Sequence, residues 1–350
     1  MARLQLGRVF FSKRSFWVYL LALFPSVIFI GHGIEAKIRR ERLGRRVVMP
    51  AAIEAVREGD TDEQVLARLG RPNADNTSSR RRRGKGGEPQ ANEIVRRYMQ
   101  YFDGARRWEL NFEAGILQSK RSHQLLDFEG DRQVFAGVFQ YFYLRLAIFF
   151  GCLGIFMNLF RGEMLDRTLH FWFLAPARRE VLLAGKYAAG LIAAVLIFTG
   201  GAALAFIAMV WPHDAAQAQA FWQTQGPSHL FWYSAAAALG CVGYGSVFLA
   251  AGLLLRNPII PAITILSWES INGILPAVLQ KLSVLYYVQS LCPVPAPLDE
   301  KAPLLIRLLS APAEPPSAAL AVLGLLGVTA VVLLAASRAV RRLEVSYSVD

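Results

Sequence analysis

Runs of apolar residues long enough to cross a lipid bilayer constrain this chain more than any other feature. A helix needs about 20 such residues to traverse the hydrocarbon core. Lipid offers no partner for free backbone N–H and C=O groups, so each run must be helical. Along the 350 residues the runs fall at about 16–34, in a second block ending near Phe160, and at about 181–211, 230–255 and 318–336. A further apolar segment at about 259–279 carries Pro258, Pro261 and Pro276; it counts as the fifth of six membrane segments, and whether it spans or re-enters stays open. Residues 35–133, between the first two runs, are polar. The fold class that follows is an α-helical integral membrane protein with six membrane segments and a small extracytoplasmic α+β domain between spans 1 and 2. Only 18% of the residues are charged, against about 25% in an ordinary soluble domain. The first run follows basic residues, as in a signal peptide. It is longer than a signal core and no small-residue cleavage site follows, so it reads as a retained anchor.

The net charge is +12. These basic residues flank the apolar runs, where they meet the anionic headgroups of membrane lipids, and nucleic acid is not expected as a partner. Lys and Arg in short loops set orientation. Arg3, Arg8, Lys13 and Arg14 precede span 1; Arg161, Arg167, Arg178 and Arg179 follow span 2; Arg338, Arg341 and Arg342 end the chain. The stretch between spans 3 and 4, WPHDAAQAQAFWQTQGPSH, has neither Lys nor Arg. With six spans this puts both termini and the Arg161–Glu180 loop in the cytoplasm and residues 35–133 outside. The basic IRRERLGRR after span 1 runs against this, but long loops translocate largely regardless of charge. Cys152, Cys241 and Cys292 are far apart and have no metal or disulfide spacing.

Within residues 35–133, Thr61 and Gln64 have the spacing of a capping box, Asp62 and Glu63 suit the positive end of a helix dipole, and Gly70 and Pro72 stop the helix. The polar, Arg-rich stretch 77–90 is expected to be a disordered loop. Strands are expected over Glu93–Phe102 and in WELNF, where Trp108, Leu110 and Phe112 share a face, with turns at Asp103-Gly104 and Ala114-Gly115. The pattern of Gly59, Thr61, Val65, Leu69, Gly70 and Pro72 followed by antiparallel strands resembles the small lipoprotein of the β-barrel assembly machinery. That resemblance implies a binding module outside the membrane rather than an enzyme.

The charged stretch RGEMLDRTLHFWFLAPARRE, residues 161–180, has Leu165, Leu169 and Trp172 at helical spacing and Glu163 four residues before Arg167, which suits an amphipathic helix on the membrane face. Pro176 ends the pattern. Glu163, Arg167, Thr168, Leu169, Leu174, Pro176, Arg178, Arg179, Gly185 and Lys186 together resemble the coupling segment of type-2 ABC exporter permeases. The resemblance implies that the chain is the membrane-spanning permease subunit of an ATP-driven exporter. Its coupling residues would be Glu163, Leu165, Asp166, Arg167, Leu169, His170, Pro176, Arg178 and Arg179, docking on a separate ABC ATPase subunit. It also implies assembly with a second copy or a related permease. Gly-Lys occurs at Gly84-Lys85 and Gly185-Lys186, but a phosphate loop needs glycine where Ser79 and Glu180 stand. ATP and Mg therefore belong to the partner, and no cofactor is expected on this chain.

Three residues are candidates for lining a translocation pathway. Glu269 and Asn272 lie in the fifth segment, with Ser267, Ser270 and Asn272 as hydrogen-bond partners for the carboxylate. Arg145 lies in span 2, roughly 22 Å above the inner boundary of a core about 30 Å thick. From there it snorkels to the outer headgroups or lines a pathway. On the snorkelling reading, the aromatic residues before it lie along the outer interface. Small residues in span 3 (Gly190, Ala193, Ala194, Gly200, Gly201) and span 4 (Ala235, Ala238, Gly240, Gly243) suit close helix approach, within the chain or across a dimer. Two other classes compete. An intramembrane enzyme would use Glu163, His170 or Glu269, but no HExxH motif occurs. The other is a non-transporting scaffold or sensor with an envelope-binding outer domain.

Overall fold

The computed structural model describes residues 15–44, 46–81, 93–165, 178–255, 257, 259–272, 275–295 and 315–341. Two compact units result: Gly31–Glu129, and Met1–Ile30 together with Gly130–Asp350.

The second unit is a helical membrane protein. Among the described residues five helices are long and apolar enough to cross a bilayer. The first, α1 (Ser15–Leu43), runs from the apolar residues through IRRERL without a break. The second begins as α4 (Phe128–Gly137), continues through a π-helical stretch (Val138–Ala147) and ends as α5 (Ile148–Leu165). The others are α6 (Arg179–Val210), α8 (Gly226–Leu254) and α12 (Ala318–Arg341). A short α7 (Ala215–Thr224), capped by Asp214, joins α6 to α8. The fifth apolar segment is no single span. It forms α9 (Ile259–Ile271), then α10 (Ala277–Gln280) and α11 (Val284–Ser290). At 1.5 Å per residue α9 is about 20 Å long, short of a core of about 30 Å.

Helix α8 is the hub, packing on α5, α6, α11 and α12. Side-chain contacts fix the helix directions. Val18 of α1 lies near Gly154 of α5, and Gly252 of α8 near Met157 of α5. Lys186 of α6 bonds the Leu159 carbonyl at 2.8 Å, and Arg341 of α12 pairs with Glu180 of α6. The start of α1 and α6 and the end of α5, α8 and α12 therefore share one end of this unit. At the other end His213, after α6, meets Asp131 of α4 at 3.1 Å.

Three of the aromatics before Arg145 turn inward, while Tyr141 is exposed. Phe135, Phe139 and Tyr143 are buried and stack in series. Tyr233 of α8 packs edge-on against the first two, and Phe206 of α6 edge-on against Phe135. One apolar helix from Phe128 carries these rings into the unit's interior.

The other unit packs two helices on one face of a four-stranded antiparallel sheet. Helix α2 is Pro50–Glu54 and α3 is Asp62–Leu69. The strands are β1 (Ala74–Arg81), β2 (Glu93–Phe102), β3 (Arg106–Glu113) and β4 (Ile116–Gln124), in sequence order. The capping box forms, with the Thr61 hydroxyl accepting from the Gln64 amide and the Gln64 side chain from the Thr61 amide. Gly70 closes the helix at φ 75. The alternation in β3 buries Trp108, Leu110 and Phe112 against Ile53, Val56, Val65 and Leu69. The expected loop at 77–90 needs correcting for residues 77–81, which belong to β1 and pair with β2; residues 82–90 lie outside the described ones. Polar strands are recognisable only through a partner, and β1 has no apolar residue except Ala74.

Candidate functional site

A charged residue at the centre of a membrane helix costs about 2.5–3.5 kcal/mol on insertion scales, so polar side chains inside the helical unit need a physical account. Two groups of them stand out.

The first surrounds Glu269, which is 3% exposed. The chain breaks after α9 and α10, and the break brings the start of α11 back against it. One carboxylate oxygen accepts from the Ser283 hydroxyl. The other accepts from the Val284 amide at 3.1 Å. Ser283 also caps α11, its hydroxyl accepting from the Tyr286 amide at 3.1 Å. The carboxylate thus sits on the orphan amides of a helix start, where negative charge is stabilised. Tyr244 of α8 lies beside it. These are not the expected partners. Ser270 bonds back to the Leu266 carbonyl instead, and Ser267 is exposed. Asn272 is buried, and its Oδ1 has no partner. Sequence spacing favours neighbours within one helix, whereas the carboxylate reaches across the break to residues 14 and 15 positions on. Ser283 before an apolar YYV run, as a helix cap, was the signal available.

Arg145 joins this group from the opposite side. Its Nη2 donates to the Glu269 main-chain carbonyl at 3.3 Å, and its Nε is buried without a partner. The residue stands near the middle of the apolar helix Phe128–Met157, about 18 Å from Met157 at 1.5 Å per residue. A continuous helix leads away from Arg145 in both directions, and its guanidinium contacts α9. Of the three candidate pathway residues, Arg145 and Glu269 are in direct contact, and Asn272 follows Glu269 by three residues along the chain.

The second group lies at the end shared by α5 and α6. Glu163 and Leu165 are in the last turn of α5, and Arg178 and Arg179 stand at the start of α6. Asp166, Arg167, Leu169, His170 and Pro176 lie outside the described residues. Lys186, 4% exposed, crosses to α5. Glu180 holds Arg341, and the Arg179 guanidinium donates to the Arg341 carbonyl at 3.4 Å. The positive start of α6 carries an acid and the negative end of α12 an arginine, which suits both dipoles. Neither Lys186 nor Arg341 was singled out as a structural tie; their partners are remote in sequence.

Among the described residues no group of three or more His, Cys, Asp or Glu side chains is placed to hold a metal ion. The chain matches no protein-family model, no curated protein and no solved structure.

Proposed function

We propose that this chain is the membrane-spanning permease subunit of an ATP-driven exporter of the type-2 ABC kind. The observation that carries the reading is the residue pattern from Glu163 to Lys186, which resembles the coupling segment of such permeases. The arrangement of the flanking helices supports it. Helices α5 and α6 deliver the two ends of the segment to the same end of the helical unit, and α8 and α12 finish there too. A partner that pulled on this segment would act on four long helices at once. ATP and Mg would be held by the separate ATPase, and this chain would supply the pathway.

In this reading both termini and the coupling segment face the cytoplasm of a bacterium, and Gly31–Glu129 faces outward. The chain crosses the inner membrane six times, the fifth passage being broken. Three contacts place its pieces: Glu269 lies beside Arg145, Val284 against Gly243, and the Val294 carbonyl accepts from Gln140 at 2.8 Å. Two membrane subunits, identical or related, would enclose the pathway, with Arg145, Glu269 and Asn272 as its polar residues. Replacing Glu163 and Arg167 together is expected to weaken co-purification of the ATPase at least tenfold, or to uncouple its hydrolysis from transport. Undiminished association with normal transport-stimulated hydrolysis in the double variant overturns the proposal.

A further inference from the structure

We infer that Arg145 is the recognition point, inside the helical unit, for an oxyanion carried on an apolar body. The group would be a phosphate or a carboxylate. The inference rests on the permease reading only for what the ligand is for, not for whether it binds.

Four observations point to it. A guanidinium has five N–H donors; Arg145 places one of them on a main-chain carbonyl, and its buried Nε has no partner among the described residues. Its charge forms no ion pair among the described residues. The Glu269 side chain does not make the contact: its oxygens accept from Ser283 and Val284, and the Arg145 guanidinium reaches only the Glu269 main-chain carbonyl. Asn272 follows closely along the same segment; it is 8% exposed, and its side-chain oxygen has no partner. A capping role for Arg145 at the end of α9 accounts for one donor and leaves the guanidinium without an anion in contact among the described residues. An oxyanion accounts for both, since arginine binds phosphate and carboxylate through two parallel hydrogen bonds. The position near mid-helix, remote from both ends of Phe128–Met157, selects an anion that an apolar body has carried into the membrane. Such a group arrives on a bilayer lipid or on a transported amphiphile.

The test uses the full chain without any ATPase, in nanodiscs of zwitterionic phosphatidylcholine, with dodecyl phosphate as the probe and empty nanodiscs as background. Saturable binding is expected, weakened at least tenfold in Arg145→Gln and retained in part in Arg145→Lys. Dodecyl trimethylammonium should not compete. Binding that does not saturate, that is equal in Arg145→Gln, or that the cationic amphiphile displaces equally well overturns the inference. If Arg145→Gln does not fold, the Arg145→Lys and competition results decide alone. Repeating the titration with phosphatidylglycerol in the disc separates the sources. A tenfold loss of apparent affinity assigns the site to a bilayer lipid, and an unchanged affinity assigns it to a transported molecule. Because no ATPase is present, failure here leaves the coupling proposal standing, and failure of ATPase association leaves this one standing.

Discussion

Arg97 shows how single side chains hold the Gly31–Glu129 unit together. Its Nε and Nη2 donate to the Asp75 carboxylate at 3.0 and 2.7 Å, and its Nη1 to Asp62 at 2.8 Å. One guanidinium thus joins β1 to the first turn of α3. On the other flank of the sheet, Lys120 of β4 donates to the carbonyls of Ile53 and Val56 at 2.6 and 3.0 Å and lies over the Trp108 ring. Burial pulls its ammonium below the usual lysine range. The hydrogen bond from Arg97 holds the Asp75 carboxyl below the usual carboxylate range, partial burial opposing it. Burial alone would raise Asp103, but hydrogen bonds from the Trp108 indole and the Arg106 and Ala105 amides outweigh it and leave Asp103 lowered too. Both folded values lie below the unfolded one, so these groups contribute stability above the ordinary carboxylate pKa of about 3.9 and lose it as pH falls through the folded values. Hydrogen exchange of the β1 and β2 amides in the intact chain, corrected for intrinsic rates, should be flat from about pH 8 to 5 and accelerate below about pH 4. Equal protection at pH 3 and pH 6 would refute the assignment. Arg97→Ala should lower local stability by about 1 kcal/mol, because the pair is partly exposed and solvent screens it.

At the level of helices and strands, close contacts within the chain absorb several of the small residues that suit close helix approach. A Cβ on Gly201 would lie 2.5 Å from the Ala22 carbonyl oxygen and from the Tyr143 hydroxyl. That is where α1 and α4–α5 press on α6, and Ser26 bonds the Gly201 carbonyl there at 3.3 Å. Gly243 likewise admits Val284 and Leu325. Gly200, one residue away, faces open space. Gly201→Val should therefore cost about 1–3 kcal/mol by overpacking, whereas Gly200→Val should stay within about 0.5 kcal/mol. Detergent-solubilised unfolding midpoints compare the two, and equal shifts would mean that the α1–α6 contact is wrongly placed. Elements whose signals lie close together in the chain were legible before the structure. The Thr61–Gln64 cap, the Trp108-Leu110-Phe112 alternation and four of the five long apolar helices declare themselves by local chemistry or length. The start of the remaining one did not, because the polar residues Glu129–Gln133 mask a helix that begins at Phe128. The π-helical stretch 138–147 was also illegible, since nothing in VFQYFYLRLA distinguishes a wide turn from an ordinary one. The partners of Glu269 were hidden for a third reason: they lie beyond a chain break.

For the whole molecule, the shared end of α1, α5, α6, α8 and α12 turns the loop charges into a testable orientation. With that end in the cytoplasm, a cysteine replacing the exposed Ser78 of β1 should react with an impermeant maleimide added to intact spheroplasts. Two of the three native cysteines are buried, so background is low. Labelling that required permeabilised cells would reverse the orientation. The broken segment between α8 and α12 also bears on how the molecule is made. By length and composition each long helix is apolar enough to cross a bilayer. Helix α9 is not: it has 13 residues, spans about 20 Å, and carries a carboxylate that lipid rejects by about 2.5–3.5 kcal/mol. The groups that satisfy this carboxylate, Ser283 and the Val284 amide, emerge from the ribosome after it does. The segment α9–α11 therefore settles into the bilayer only after α11 has been made and α8 is in place to receive it. On this account assembly of the chain has a late step, in which a short apolar segment with a buried carboxylate is placed against helices made before it.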